Sequence, residues 1–426
     1  MTATADLLAF AAADHILPAG VRADAVRLLG DTLIVGAAGV GAPGEAAILT
    51  AARGFGAGAE ARLLGTRERL PAPSAAFVNG YRIHCLEWDA VHEPAVVHAL
   101  SVVTAALGAA IDRRGGCDAQ TALAALAVGV DIASGLGIAA TGGLRFFRPA
   151  TAGAIGAALA VARIDGAPLD STLGLAYSSA AGTMQAHVEG SIALPFQVAN
   201  AARAAVAASD LARAGLTGPR DALEGPFGYF TLIDHGDLAT YTANLGQVWR
   251  IAEISTKPFP SGRASHAALG ALQTFAGQPI ASAELAAPPL IHRLVGRAYD
   301  PAMTPAYARL CLPFLAALML RDGRIDPRAF TAATFADPAL AAMAARFTLV
   351  ADGNPDPNAL FPQTLSLTLA SGVRQTIDIP DTLGSPAAPL DSAQAAAKHA
   401  LARELAPASA DPRIFSDPLA YFTEPQ

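Results

Sequence analysis

Charge is scarce in this chain. Of its 426 residues, 15% are Asp, Glu, Lys or Arg and 6% are aromatic. The net charge is −7 and no basic block is present. That argues against a nucleic-acid partner, because phosphate binding needs clustered Lys and Arg. Cysteine is as sparse: Cys85, Cys117 and Cys311 are far apart and odd in number. They supply neither a disulfide framework nor a C-x-x-C zinc pair, which points to a reducing, cytoplasmic setting. The opening MTATADLLAFAAADHILPAG lacks a basic n-region, and Asp6 and Asp14 flank its apolar part, so it does not read as a secretory signal.

What is abundant is small and apolar. The hydrophobic fraction is 53% and the mean hydropathy +0.38, which raises a membrane reading. Most of that content is alanine, and runs such as VVHALSVVTAALGAAI contain a histidine and small residues. The expectation is that none reaches the roughly 18–20 strongly apolar residues a spanning helix needs. A soluble protein with helices packed closely through Ala and Gly, and with buried subunit contacts, fits better.

The length exceeds one ordinary core, so two domains are expected. VRADAVRLLGDTLIVGAAGVG, AQTALAALAVGVDIASGLGIAA, TAGAIGAALAVARIDG and PFQVANAARAAVAASDLARAG have helical spacing. Near residue 250 the pattern changes. PLIHRLVGRAYD, RFTLVADG and FPQTLSLTLASGVRQTIDIP alternate like strands, the last as a hairpin turning at Ala370-Ser371-Gly372. YARLCLPFLAALMLRDG, DPALAAMAARF and SAQAAAKHALARELA return to helix. The order predicts a mostly α protein: a large helical domain from residues 1–255 and 391–426, with a smaller α+β lid domain at 256–390.

Gly39, Gly41 and Gly44 match G-x-G-x-x-G, with Glu60 near the distance of a ribose-binding acid. That fingerprint needs a strand before the first glycine. Here the preceding pattern is helical and Pro43 occupies the phosphate turn, so a helix end and loop is predicted instead. The stretch HCLEWDAVHEPAVVH, residues 84–98, gathers titratable groups. His92-Glu93 begins H-E-x-x-H, but position 96 is Val and Pro94 breaks the helix that zinc geometry requires. An acid–base loop or a solvated loop remains. Pro94 bends the chain, and a helix is predicted from about Ala95 to Arg113, with His98 in its first turn near the positive end. A second loop, TKPFPSGRASHA at 256–267, carries Lys257, Ser261, Arg263 and His266. Its cations suit carboxylates, its histidine titrates near neutrality, and it sits at the expected domain boundary.

With both loops in hand, the chain resembles the MmgE/PrpD family, which includes 2-methylcitrate dehydratase, cis-aconitate decarboxylase and iminodisuccinate epimerase. The resemblance runs through LPAGVRADAVRLLGDTLIVGAAG, VNGYRIHCLEWDAVHEPAVVHAL, FRPATAGAIGAALAVARIDG, GPRDALEGPFGYF and KPFPSGRASHAALGAL. It implies a helical domain with an α+β lid, usually dimeric, moving a proton beside a carboxylate without metal or organic cofactor. Asp89, His92, His98, Lys257 and His266 match family positions, and Glu87 replaces an Asp. Ala90 and Val91 replace the next Asp and Thr, and Arg148 a common histidine. Gly262 stands beside Arg263 where other members have Cys or His. Leu194 replaces the lysine of K-x-L-x-x-G-x-A-A, so standard binding of methylcitrate or cis-aconitate is not expected. Tyr299 is a loose match to the lid tyrosine of some members.

The resemblance therefore implies a small anionic di- or tricarboxylate substrate and no cofactor. His98 is the expected proton carrier, Asp89 its orienter, and His266 or His92 a second acid or base. Lys257, Arg263 and Arg148 would hold carboxylates and developing charge; Glu87, Ser261 and Tyr299 complete the candidates. A lyase (dehydratase or decarboxylase) is the first reading, an epimerase the second. A scaffold that binds without catalysis is a third, since function resides in sites rather than folds.

Overall fold

The computed structural model describes residues 2–356 and 359–425. The frame of the larger domain is helical: α1 (Ala19–Ala38), α2 (Ala72–His84), α3 (Ala99–Arg114), α4 (Ala119–Ile138), α5 (Arg148–Asp165) and α6 (Ala193–Arg213). Small residues let these helices approach closely. A Cβ built at Gly156 would lie 2.3 Å from the Gly129 carbonyl oxygen and 2.9 Å from Ala133 Cβ. The α4 and α5 backbones therefore nearly touch, which gains dispersion contacts over their whole length. Asp118 caps α4 by accepting from the Thr121 amide, and Gly115 closes α3 in the left-handed conformation, φ 83°.

Helix α4 corrects one expectation. It is long and apolar enough, by length and composition, to cross a membrane, yet 89% of its most apolar window is buried inside this protein. Its apolarity serves the core.

The smaller domain holds a four-stranded sheet of β1 (Ile280–Ala287), β2 (Phe347–Ala351), β3 (Gln363–Leu369) and β4 (Arg374–Ile379), in the order β2-β1-β3-β4. β1 and β2 are parallel and the other pairs antiparallel. Helices α7 (His266–Gln273) and α8 (Leu312–Asp322) share a second hydrophobic core with it, through Leu269, Leu272, Leu315, Leu285 and Leu365. Helix α9 (Ser392–Leu405), opened by an Asp391–Gln394 capping box, leads back to the first domain. Ala402, Ile414, Tyr421 and Phe422 join its core. The result is a large helical domain with a smaller α+β domain.

The hairpin of β3 and β4 turns as expected, with Gly372 at φ 88°. PLIHRLVGRAYD does not form a strand: Pro289–Val295 is a helix with proline in its first turn, where the missing N–H costs nothing. The strand that pairs with β2 and β3 is β1, IASAELAA, whose alanines give little β signal; cross-strand packing makes it a strand. Gly39 is the C-cap of α1, which settles G-x-G-x-x-G as a helix end.

Candidate active site

Three short segments build the site. Helix α2 ends at His84, and the chain then turns through Glu87, which takes the left-handed conformation at φ 54°. Val91 pairs with Ser255, joining the acidic stretch to the segment that enters the basic loop. Next, His92 and Val97 bond to each other across a tight turn in which Val96 has φ 51°. A β-branched residue rarely adopts that conformation, and such strain costs about 1–3 kcal/mol and gathers at functional sites. The turn delivers His98 to the N-cap of α3. That helix begins at Ala99, four residues later than expected, because residues 92–97 pair with each other instead.

Asp89 is fully buried at the centre. His84 Nδ1 lies 2.9 Å from its Oδ2, Ser101 donates its hydroxyl to the same oxygen, and His98 Nδ1 lies 3.1 Å away. Burial opposes ionisation, but His84 and His98 together hold the Asp89 carboxyl well below the usual range. The two histidines diverge. Burial lowers both, yet Asp89 and then Glu87 raise His84 above 6.5, whereas His98, facing Lys257 as well, stays lowered. Helix polarity points the same way: His84 sits at a negative C-terminus and His98 at a positive N-terminus.

Glu87 links this cluster to the basic loop. Its Oε2 takes Lys257 Nζ at 3.1 Å, and its carbonyl takes the same ammonium at 3.0 Å. Its Oε1 lies 3.5 Å from His84 Nε2. Burial would raise Glu87, but Lys257 and the histidines bring its carboxyl down to about 2. Arg263 reaches Glu93 from the same loop, with Nε at 2.9 Å and a terminal nitrogen at 2.6 Å from one carboxylate oxygen.

A cavity of about 80 Å³ opens beside these groups. Glu87, Glu93, His98, Arg148, His187 and Arg263 supply its polar wall, and Phe147, Leu194, Val295 and Leu310 much of the apolar remainder. It is below the roughly 300–1,000 Å³ of ordinary ligand sites. A larger open hollow of about 540 Å³ lies between α1, α9 and residues 384–390, where Asp31 and Lys398 pair at 2.6 Å. It shares none of these groups.

His98, Glu87, Arg263 and Arg148 thus reach the cavity, with Asp89 and Lys257 directly behind His98 and Glu87. Arg148 lines the wall but is already bonded to Asp234, at 2.8 and 3.2 Å, and to the Ala95 carbonyl. The others do not line it. His92 donates from Nε2 to Glu253 (3.0 Å) and accepts the Ala95 amide at Nδ1, so it holds the turn. His266 and Ser261 bond to each other at 3.1 Å; burial, then Arg263, push His266 well below 6.5. Tyr299 donates to the Phe335 carbonyl within the smaller domain's core.

His84, Ser101 and His187 went unselected by sequence. His84 heads the titratable stretch and Ser101 lies three residues past His98, so both had a signal; His187, alone in MQAHVEG, had none. The ligand atoms of His84, Asp89 and His98 lie within 4.8 Å of one another. That spacing could also take a divalent cation; Asp89 Oδ2 accepts from His84 and Ser101, and its Oδ1 is buried without a hydrogen-bond partner.

Residues 3–242 match the MmgE/PrpD N-terminal domain and residues 259–414 the MmgE/PrpD C-terminal domain. The second match runs through α9, whose side chains pack on the helical core. A cis-aconitate decarboxylase-like protein of Aspergillus oryzae is 28% identical over 281 residues, 60% of this chain and 58% of that protein. Human cis-aconitate decarboxylase is 27% identical over 330 residues, 72% of this chain and 68% of that protein. The chain thus spans less than two thirds of the first relative's length. With both domain models matched in order over most of its length, this chain belongs to the MmgE/PrpD family.

Proposed function

We propose that this protein moves a proton at carbon beside a carboxylate of a small di- or tricarboxylic acid in a lyase reaction: either it removes the proton and hydroxide leaves as water, or carbon dioxide leaves and the proton is delivered to the carbon that keeps the electron pair. The observation that carries this is His98, held on the cavity wall against buried Asp89 with its protonation lowered. A neutral imidazole there can accept a proton, and Asp89 then faces the imidazolium it becomes. The electron pair left behind delocalises into the carboxylate as an enediolate-like state. Arg263 on the cavity wall, paired with Glu93, and Lys257, paired with Glu87, place N–H donors and partly compensated charge near it. The decarboxylase names of the two relatives support the lyase type.

Epimerisation is the second reading, because His187 also lines the cavity and comes from a different segment. Burial, then Arg297, lower it to about 4, leaving a second neutral imidazole. Two carriers could deliver protons to two faces of one carbon. Proton NMR in deuterated water, with iminodisuccinate, methylcitrate isomers, cis-aconitate and simpler dicarboxylates, separates these readings. A desaturated or decarboxylated product indicates a lyase, and deuterium with inversion indicates an epimerase. No exchange with any acid argues for a non-catalytic scaffold.

A further inference from the structure

Arg309 is a buried cation with no carboxylate in direct contact, although Glu87, on the same recess, favours its charge. It is 5% exposed, and among the described residues no carboxylate oxygen lies within 4 Å of it. One terminal nitrogen donates to the Cys85 carbonyl at 2.7 Å, its plane lies 5.3 Å from the Phe330 ring, and its buried Nε has no hydrogen-bond partner. Other buried arginines of this protein have carboxylates: Arg82 has Glu45, Arg148 has Asp234 and Arg263 has Glu93. Desolvating a guanidinium is costly unless a counter-ion compensates, so an unmatched one marks a place where an anion belongs.

The surroundings indicate which anion. Arg309 lines a recess of about 20 Å³ with His84, Glu87, Leu194 and Leu310. The last three lie on the wall of the 80 Å³ cavity too, so recess and cavity adjoin. Arg309 also bonds to segments on both sides of the recess. Its carbonyl accepts the Gly262 amide of the basic loop at 3.0 Å, and its side chain holds Cys85 at the end of α2. The recess exceeds the space one water needs but cannot hold a whole acid. It suits one carboxylate head, with the reacting carbon in the larger cavity beside His98.

We propose that Arg309 anchors the substrate carboxylate remote from the reacting carbon, in a subsite formed where the smaller domain meets the end of α2. This rests on the di- or tricarboxylate reading above. A guanidinium can meet a carboxylate through two parallel N–H donors, which fixes orientation as well as charge.

The test is calorimetric binding of malonate and succinate to the whole protein and to Arg309→Gln, Arg309→Lys and Arg309→Gln/Leu194→Lys. Glutamine keeps an N–H donor but drops the charge; lysine keeps the charge. The expected result is a Kd about 10- to 100-fold weaker for Arg309→Gln, with Arg309→Lys between. Part of the loss should return when lysine is placed at 194, which faces the same recess. Equal affinity for parent and Arg309→Gln overturns the proposal. So does a loss that neither lysine variant relieves, which makes Arg309 a structural latch. His98→Ala separates the two readings, because it should abolish exchange while leaving dicarboxylate binding intact. A parent protein that neither binds nor exchanges any acid overturns the function itself, and this subsite with it.

Discussion

His84 and His98 meet edge to face, ring centroids 4.8 Å apart, across a single oxygen of Asp89. One closes a helix and the other opens the next, so equal side chains stand in fields of opposite sign. Glu87 adds to the asymmetry by approaching His84 Nε2. The pair is thereby split, His84 favouring its charged form and His98 its neutral form, the condition for acid–base work.

The pH profile follows from that split. His98, lowered, is neutral above its own pKa, so kcat/KM should fall on the acid side only below about 6.5. His84, raised, keeps its charge past 6.5 and should set the alkaline limb. Glu87→Gln removes one of the charges that raise His84, so the alkaline limb should move toward acid while the acid limb moves less. A profile of kcat/KM against pH for both proteins checks this; an alkaline limb that stays in place contradicts the Glu87–His84 coupling.

Asp89→Asn keeps the shape at the centre and removes the charge. The expected loss in kcat is about 10²–10⁴-fold, the range for positioned acid–base groups, with a smaller change in KM. Steady-state kinetics on whichever acid exchanges deuterium measures it. In the parent, Asp89 and Glu87 have folded pKa values below the ordinary range, Glu87 at about 2. Their stabilisation is therefore present above the ordinary carboxylate range and lost as pH falls toward 2. Urea titrations between pH 7 and 3 should show that decline, and Asp89→Asn should flatten it.

Much of this was legible in the residues, and the failures have causes. Alanine-rich periodicity marked the long helices, and the ordered family motifs marked the two-domain plan. His98, Lys257 and Arg263 could be chosen because unusual residue types cluster in two loops, and Asp89 because the family resemblance matched its position. His92 and His266 look equally functional as letters, yet both point into local turns, and sequence spacing carries no information on side-chain direction. His187 and Arg309 come from ordinary-looking segments, and only tertiary packing brings the first to the cavity and the second to the adjoining recess.

Arg263 and Glu93 join the two loops as a buried pair, each side chain less than a tenth exposed. Arg263→Met should cost about 3–5 kcal/mol, because Glu93 is then left charged and unpaired. Adding Glu93→Leu should recover much of that stability. Urea unfolding of the two single variants and the double variant forms the cycle; simple additivity would show that the pair does not interact.

Close helix packing gives a stability test away from the site. Gly156→Ala puts a methyl 2.3 Å from the Gly129 carbonyl, where backbone must move. A loss of about 1–3 kcal/mol is expected, read as a lower Tm, with exchange per folded molecule unchanged. An unchanged Tm would mean that α4 and α5 can separate freely.

Chelation addresses the His84–Asp89–His98 trio directly. With the proton chemistry carried by side chains, dialysis against EDTA should leave exchange unchanged, and added zinc should inhibit by occupying the trio. Loss of exchange on chelation, restored by a metal, would reassign these residues as ligands.

The most direct measurement is deuterium incorporation alpha to a carboxylate, followed by proton NMR, for the parent protein and for His98→Ala under the same conditions. The expected result is incorporation by the parent and none above background by a folded His98→Ala. Incorporation by His98→Ala at the parent's rate would contradict the assignment of His98 as the proton carrier.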